Sequence, residues 1–117
     1  MNHLRKKVDK SSLYTDYVSI MNGVLRLPNR ASEVLSYLLS INNALGSDEL
    51  VIDKYVRSDV RQKFGLSESN LSHLFKQLKE KDLIVKGDKG LIINRSIVPE
   101  IKDGAVNVVF TLDTNAD

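Results

Sequence analysis

An α+β fold, in which helices precede a small β-hairpin, is predicted by three observations clustered between residues 54 and 95. Phe64-Gly65-Leu66-Ser67 divides two helices: Gly65 can take the left-handed conformation that ends the first, and the Ser67 hydroxyl can accept from the free amides that start the second. Leu71, Leu74, Phe75 and Leu78 then recur at i, i+3, i+4 and i+7, the apolar stripe of a helix running to about Lys81. Leu83-Ile84-Val85-Lys86 and Leu91-Ile92-Ile93-Asn94 are rich in β-branched residues and are joined by Gly87-Asp88-Lys89-Gly90, a loop with turn chemistry at both ends. Helix, short turn, helix and hairpin in that order are the plan of a winged helix-turn-helix, with the helix pair over residues 54–81 and the wing over 83–95.

The remaining elements are read around that unit. Asn22-Gly23 is a favoured two-residue hairpin turn, which predicts strands over Tyr17–Met21 and Val24–Leu27. In that register Val18, Ile20, Leu25 and Leu27 share a core-facing side, while Ser19 and Arg26 share the other. Pro28 ends the strand, and Asn29 or a neighbour caps a helix whose broad stripe is Val34, Leu35, Leu38, Leu39, Ile41 and Leu45. Gly46-Ser47-Asp48 is a loop, Leu50-Val51-Ile52 a short strand, and Asp53 the cap of a helix that buries Val56, Val60 and Phe64. Leu66 is placed to touch Val60 behind it and Leu71 ahead. Pro99 closes an extended segment, Lys102-Asp103-Gly104 turns, and Val106 to Leu112 alternates as a strand. Its partner is the edge of the first hairpin, the wing, or a second copy across a two-fold axis.

The fold class is therefore three helices plus a wing, with an additional N-terminal hairpin and a C-terminal strand. A basic arm over residues 1–13 precedes a single domain over 14–112, and a frayed tail occupies 113–117. With 117 residues and 42% hydrophobic content, the chain suffices for one modest core. Having no cysteine, it must draw stability from packing, and its two histidines lack zinc-ligand spacing, so no metal or cofactor is expected. No apolar run approaches the ~20 residues of a bilayer span, and the basic N-terminus lacks the apolar stretch of a signal peptide, which predicts a cytoplasmic protein.

Charge is informative in its distribution, since the net value is only +2. Residues 1–13 carry four basic and one acidic side chain, residues 54–89 nine and five, and residues 100–117 one and four. Positive charge thus gathers on the arm and on the helix-turn-helix unit. Arg5, Lys6 and Lys7 can follow phosphates or a minor groove, or can simply solubilise the terminus.

Opposite the apolar stripe of the second helix lie Ser69, His73, Lys76 and Glu80, flanked by Ser72 and Gln77, with Asn70 near the N-terminal end. Short hydroxyl and amide groups beside a cation are the inventory that meets base edges and phosphates in a major groove, although polar residues opposite a core stripe are also ordinary on any surface helix. His73 can read a guanine acceptor, bind a phosphate in a pH-dependent way, or do neither. Arg57 and Arg61, one turn apart on the preceding helix, are candidates for phosphate contact or plain surface arginines beside Asp59. Lys86 and Lys89 stand where a wing meets the sugar-phosphate backbone, or serve solubility.

Taken together, Tyr37-Leu38-Leu39, Leu50-Val51-Ile52-Asp53-Lys54, Phe64-Gly65-Leu66-Ser67-Glu68-Ser69-Asn70-Leu71-Ser72 and Leu78-Lys79-Glu80-Lys81-Asp82-Leu83-Ile84-Val85-Lys86-Gly87 resemble the winged-helix domain of plasmid replication-initiation proteins of Gram-positive bacteria and similar phage proteins. The resemblance covers roughly residues 17–98, and the chain departs from that pattern in its Asn-Gly first hairpin and its acidic C-terminal segment. It implies that Ser69, Asn70, Ser72, His73 and Lys76 meet bases or nearby phosphates, with Lys86 and Lys89 on the backbone.

The expected activity is binding of double-stranded DNA in transcription regulation or replication initiation, with replication or transcription machinery, or a second copy of the chain, as further partners. The alternative is a winged-helix module that docks a polymerase, a host factor or itself, because Glu68, Glu80 and Asp82 would repel DNA. Catalysis is not expected: neither histidine has a local serine or carboxylate relay, Gly87 and Gly90 bracket a hairpin with no phosphate loop, and no small-molecule substrate is implied.

Overall fold

Tyr17, Val18 and Met21 recur at helical spacing, and burial follows that period. In the computed structural model, which describes residues 5–46, 48–109, 111 and 113–114, a 3-10 turn at Lys10–Ser12 leads into helix α1 (Leu13–Leu25). The hairpin expected around Asn22-Gly23 is replaced by this one helix. Tyr17, Val18 and Met21 are buried, whereas Ile20, expected on the core side, is 50% exposed, and Val24 beside it is 58% exposed. The amphipathic face thus overrides the local turn preference of Asn-Gly. Asn22 instead closes the helix end: its Oδ1 accepts from the Leu27 amide at 2.7 Å and its Nδ2 donates to the Leu27 carbonyl at 3.1 Å, across Arg26 in the left-handed region.

Helix α2 (Asn29–Ala44) starts immediately after Pro28, whose carbonyl accepts from the Ser32 amide at 3.0 Å, so Asn29 is the first helical residue and not the cap. Val34, Leu35, Leu38 and Leu39 are fully buried, with Ala31 beside them. Ile41 is part-buried and Leu45, read as part of the stripe, is 43% exposed, because the helix has ended by then. In the loop that follows, Ser47 lies outside the described residues. Leu50 and Ile52 are buried, and Val51 forms an antiparallel bridge to Ile92, with the Ile52 amide donating to the Leu91 carbonyl at 2.8 Å.

Helix α3 (Lys54–Phe64) is capped by Asp53, whose Oδ1 accepts from the Tyr55 and Val56 amides at 3.0 Å each, an arrangement that stabilises by about 1 kcal/mol. Val60 is fully buried, while Val56 and Phe64 pack at the edge of the core. Gly65 ends α3 with φ 61°, and Ser67 caps helix α4 (Glu68–Glu80) by accepting from the Asn70 amide at 3.1 Å. Any other residue at Gly65 would hold that left-handed conformation under strain. Leu66 between them packs on the core, as do Leu71, Leu74, Phe75 and Leu78 of α4.

Strands β1 (Ile84–Lys86) and β2 (Leu91–Ile93) pair antiparallel, Ile84 opposite Ile93 and Lys86 opposite Leu91. The Gly87 amide donates to the Gly90 carbonyl at 2.7 Å across the loop. Gly90 has φ 140°, and a Cβ there would lie 3.2 Å from Val51 Cγ1, so the close approach of the Val51 segment leaves little room for a larger residue.

The last part of the wing expected to reach residue 95 turns away earlier, since Arg95–Ile97 form a 3-10 turn. Tyr17 donates its hydroxyl to the Ile97 carbonyl at 2.8 Å, and Arg95 makes a two-pronged pair with Glu49 at 2.8 and 2.9 Å, which holds the Glu49 carboxyl below its usual range by hydrogen bonding and charge. Strands β3 (Ile101–Lys102) and β4 (Ala105–Val106) pair with each other around Asp103 (φ 52°) and Gly104 (φ 73°). Two consecutive positive φ values make this a tight primed hairpin turn. The strand expected over residues 106–112 is thus shorter among the described residues, and its partner is its own neighbour, the pairing with the least loop to close. Phe110, Leu112 and residues 115–117 of the expected strand and tail lie outside the described residues, as do residues 1–4 of the arm. No helix among the described residues is long and apolar enough to cross a membrane.

Candidate functional site

Burial of Leu71, Leu74, Phe75 and Leu78 on one side of α4 leaves Ser69, Asn70, Ser72, His73 and Lys76 exposed on the other. All five sequence-predicted residues of this helix therefore share one solvent-facing surface. Glu80 lies exposed at its C-terminal end, and Gln77 is part-buried with its Oε1 enclosed and unpaired among the described residues. Lys86 at the end of β1 and Lys89 in the loop are exposed, as are Arg5, Lys6 and Lys7, which have no regular secondary structure. Among the described residues, Lys76, Lys86 and Lys89 enter no ion pair.

Arg57 and Arg61, read as phosphate contacts or plain surface arginines beside Asp59, pair with Glu68. Arg57 Nη2 lies 3.5 Å from Glu68 Oε1, and Arg61 Nη1 lies 3.1 Å from Glu68 Oε2, so one carboxylate bridges both guanidinium groups. Arg57 also donates to Ser72 Oγ at 3.4 Å and stacks over the Phe75 ring at 5.1 Å. Arg61 Nε donates to the Leu66 carbonyl at 3.4 Å. The turn at Gly65 thus brings the first residue of α4 beneath the cationic face of α3. Glu68, read from sequence only as a repelling charge, is the local partner of both arginines. Its place at the first position of α4 favours a carboxylate by itself, but the pairing with two arginines of the preceding helix depends on the path of the chain through Gly65.

A second cluster seats α3 on α2. Tyr37 donates its hydroxyl to Asp59 Oδ2, meets Phe64 edge-on at 5.8 Å between ring centroids, and carries the Lys63 ammonium 4.8 Å above its own ring. Arg30 lies 5.9 Å from the Phe64 centroid. Hydrogen bonding to the Asp59 carboxylate, then burial, then its charge push the Tyr37 phenol up to about 12. A phenol that holds its proton more tightly when folded contributes stability below about pH 10, and that contribution is lost as pH rises toward 12. Urea midpoints measured from pH 9 to 12 are expected to fall more steeply for the native chain than for Tyr37→Phe. Parallel curves would show that the pair adds nothing.

A groove of about 560 Å3 runs between α1 and α2, lined largely by hydroxyl and amide side chains such as Ser11, Thr15, Ser19, Asn22, Ser36 and Ser40. None of the sequence-predicted residues lies in it. Comparisons with known family models, with curated proteins and with solved structures found no match to this chain.

Proposed function

We propose that this chain is a winged helix-turn-helix protein that binds duplex DNA, with α4 as the recognition helix in the major groove and the β1–β2 loop over adjacent phosphates. The observation that carries this reading is the single exposed face of Ser69, Asn70, Ser72, His73 and Lys76 on a helix set across α3 by the Gly65 and Ser67 turn. Support comes also from the antiparallel bridge of Val51 to Ile92, which ties the segment before α3 to the β1–β2 hairpin. In this mechanism Arg57, Arg61, Lys86 and Lys89 position the protein on phosphates, and the α4 side chains meet base edges. Arg5, Lys6 and Lys7 add electrostatic attraction from the arm. The biological outcome proposed is transcription control or replication initiation of phage or plasmid type, in the cytoplasm of a bacterial or infected host cell.

The test is a duplex titration over a salt series, combined with selection from randomised sequence. Several phosphate contacts give a log-log salt slope of about −0.9 per contact, and base readout gives enrichment of particular sequences. Undetectable binding at low salt would overturn the proposal. A protein-docking module is the second reading, favoured by the exposed Ile20 and Val24 one turn apart on α1.

A further inference from the structure

We infer that Glu68 occupies, in the free protein, the seat that a phosphodiester of the DNA backbone takes in the complex. This rests on the duplex-binding reading above and assigns the phosphate site within it. The two guanidinium groups are held in place by groups other than Glu68: Arg57 by the Phe75 ring and the Ser72 hydroxyl, Arg61 by the Leu66 carbonyl. They form a fixed fork whose open side is filled by one carboxylate, one oxygen to each arginine, at 3.5 and 3.1 Å. A phosphodiester presents the same pattern, two non-bridging oxygens sharing one negative charge, and arginine forks are suited to it.

Displacement of the carboxylate is cheap. Glu68 is 64% exposed in its side chain and Arg61 43%, and ion pairs at such positions are screened by solvent and contribute little. Glu68 rotates into solvent when the phosphate arrives, while the arginines stay where Phe75, Ser72 and Leu66 hold them. The α4 N-terminus adds a favourable partial positive charge for either anion. Glu68 therefore neutralises the fork before DNA is present and lowers its attraction for anions too weak to evict an intramolecular carboxylate.

The experiment is a double-mutant cycle on duplex binding at low salt, using Glu68→Gln, the Arg57→Gln/Arg61→Gln pair, and the three changes together. Glu68→Gln is expected to tighten binding roughly 2- to 5-fold and to steepen the salt slope by about one, because no carboxylate must be released beside the DNA. In the arginine-less background the same change is expected to have no effect, since no fork remains to be emptied. If Glu68→Gln tightens binding equally in both backgrounds, or in neither, the shared seat is wrong while duplex binding stands. If the native chain binds no duplex at all, the functional reading fails first. Thermal unfolding of each variant within a few degrees of the native chain shows that the comparison is between folded proteins.

Discussion

Phe75→Ala is expected to destabilise the protein by about 3–5 kcal/mol, the largest single loss available in α4. Its ring is among the largest fully buried side chains, and it packs with Leu71, Leu74 and Leu78 in the core shared by α2, α4 and the hairpin. Truncation removes both the transfer energy of the ring and the contacts of everything around it, since so tight a site collapses only partly. The same ring is the platform for Arg57, so the loss reaches the site as well as the fold. Set against a typical total of about 5–15 kcal/mol, the change leaves a marginal or partly unfolded chain. A urea titration followed by circular dichroism measures it. A shift corresponding to less than about 1 kcal/mol would mean that α4 is not held by its apolar stripe.

His73→Ala with Lys76→Ala is expected to do the reverse: little to stability and much to duplex binding. Both side chains are exposed on α4, so their removal changes stability by no more than about 0.5 kcal/mol each. If they meet a base edge and a phosphate, their joint loss weakens binding to a preferred duplex about 10- to 100-fold. Loss of the lysine contact also reduces the salt slope by about one. Fluorescence anisotropy with a selected duplex, alongside thermal unfolding, separates the two effects. An unchanged affinity would remove α4 from the interface.

Residues 54–93 were legible from sequence because every local signal there points the same way. Asp53, Gly65 and Ser67 occupy the cap positions their chemistry prefers, and the i, i+3, i+4, i+7 stripe of α4 is buried throughout. Segment 17–27 misled because two signals conflict. Asn22-Gly23 favours a hairpin locally, yet Tyr17, Val18 and Met21 gain more by burying a helical face against α2, and Asn22 finds use in tying off the helix end instead. Near residue 104 the Lys102-Asp103-Gly104 turn is legible but the strand before it is not, since two-residue strands carry too little pattern to be read. In the candidate site, which side chains of α4 face solvent followed directly from its period. The bridging of Arg57 and Arg61 by Glu68 did not, because it depends on how sharply the chain reverses at Gly65.

Segment 95–97 has a consequence for how the hairpin behaves as a mechanical part. Past β2, Arg95 is lashed to Glu49 and the Ile97 carbonyl is pinned by Tyr17, while Asn94 donates its amide to the Leu83 carbonyl and its Nδ2 to the Asp82 carbonyl, so the base of the hairpin is tied down. At the far end the four residues from Gly87 to Gly90 form the loop, closed by one cross-loop hydrogen bond. With the base tied and the tip closed by one bond, deformation costs least at the tip, which carries the Lys89 charge.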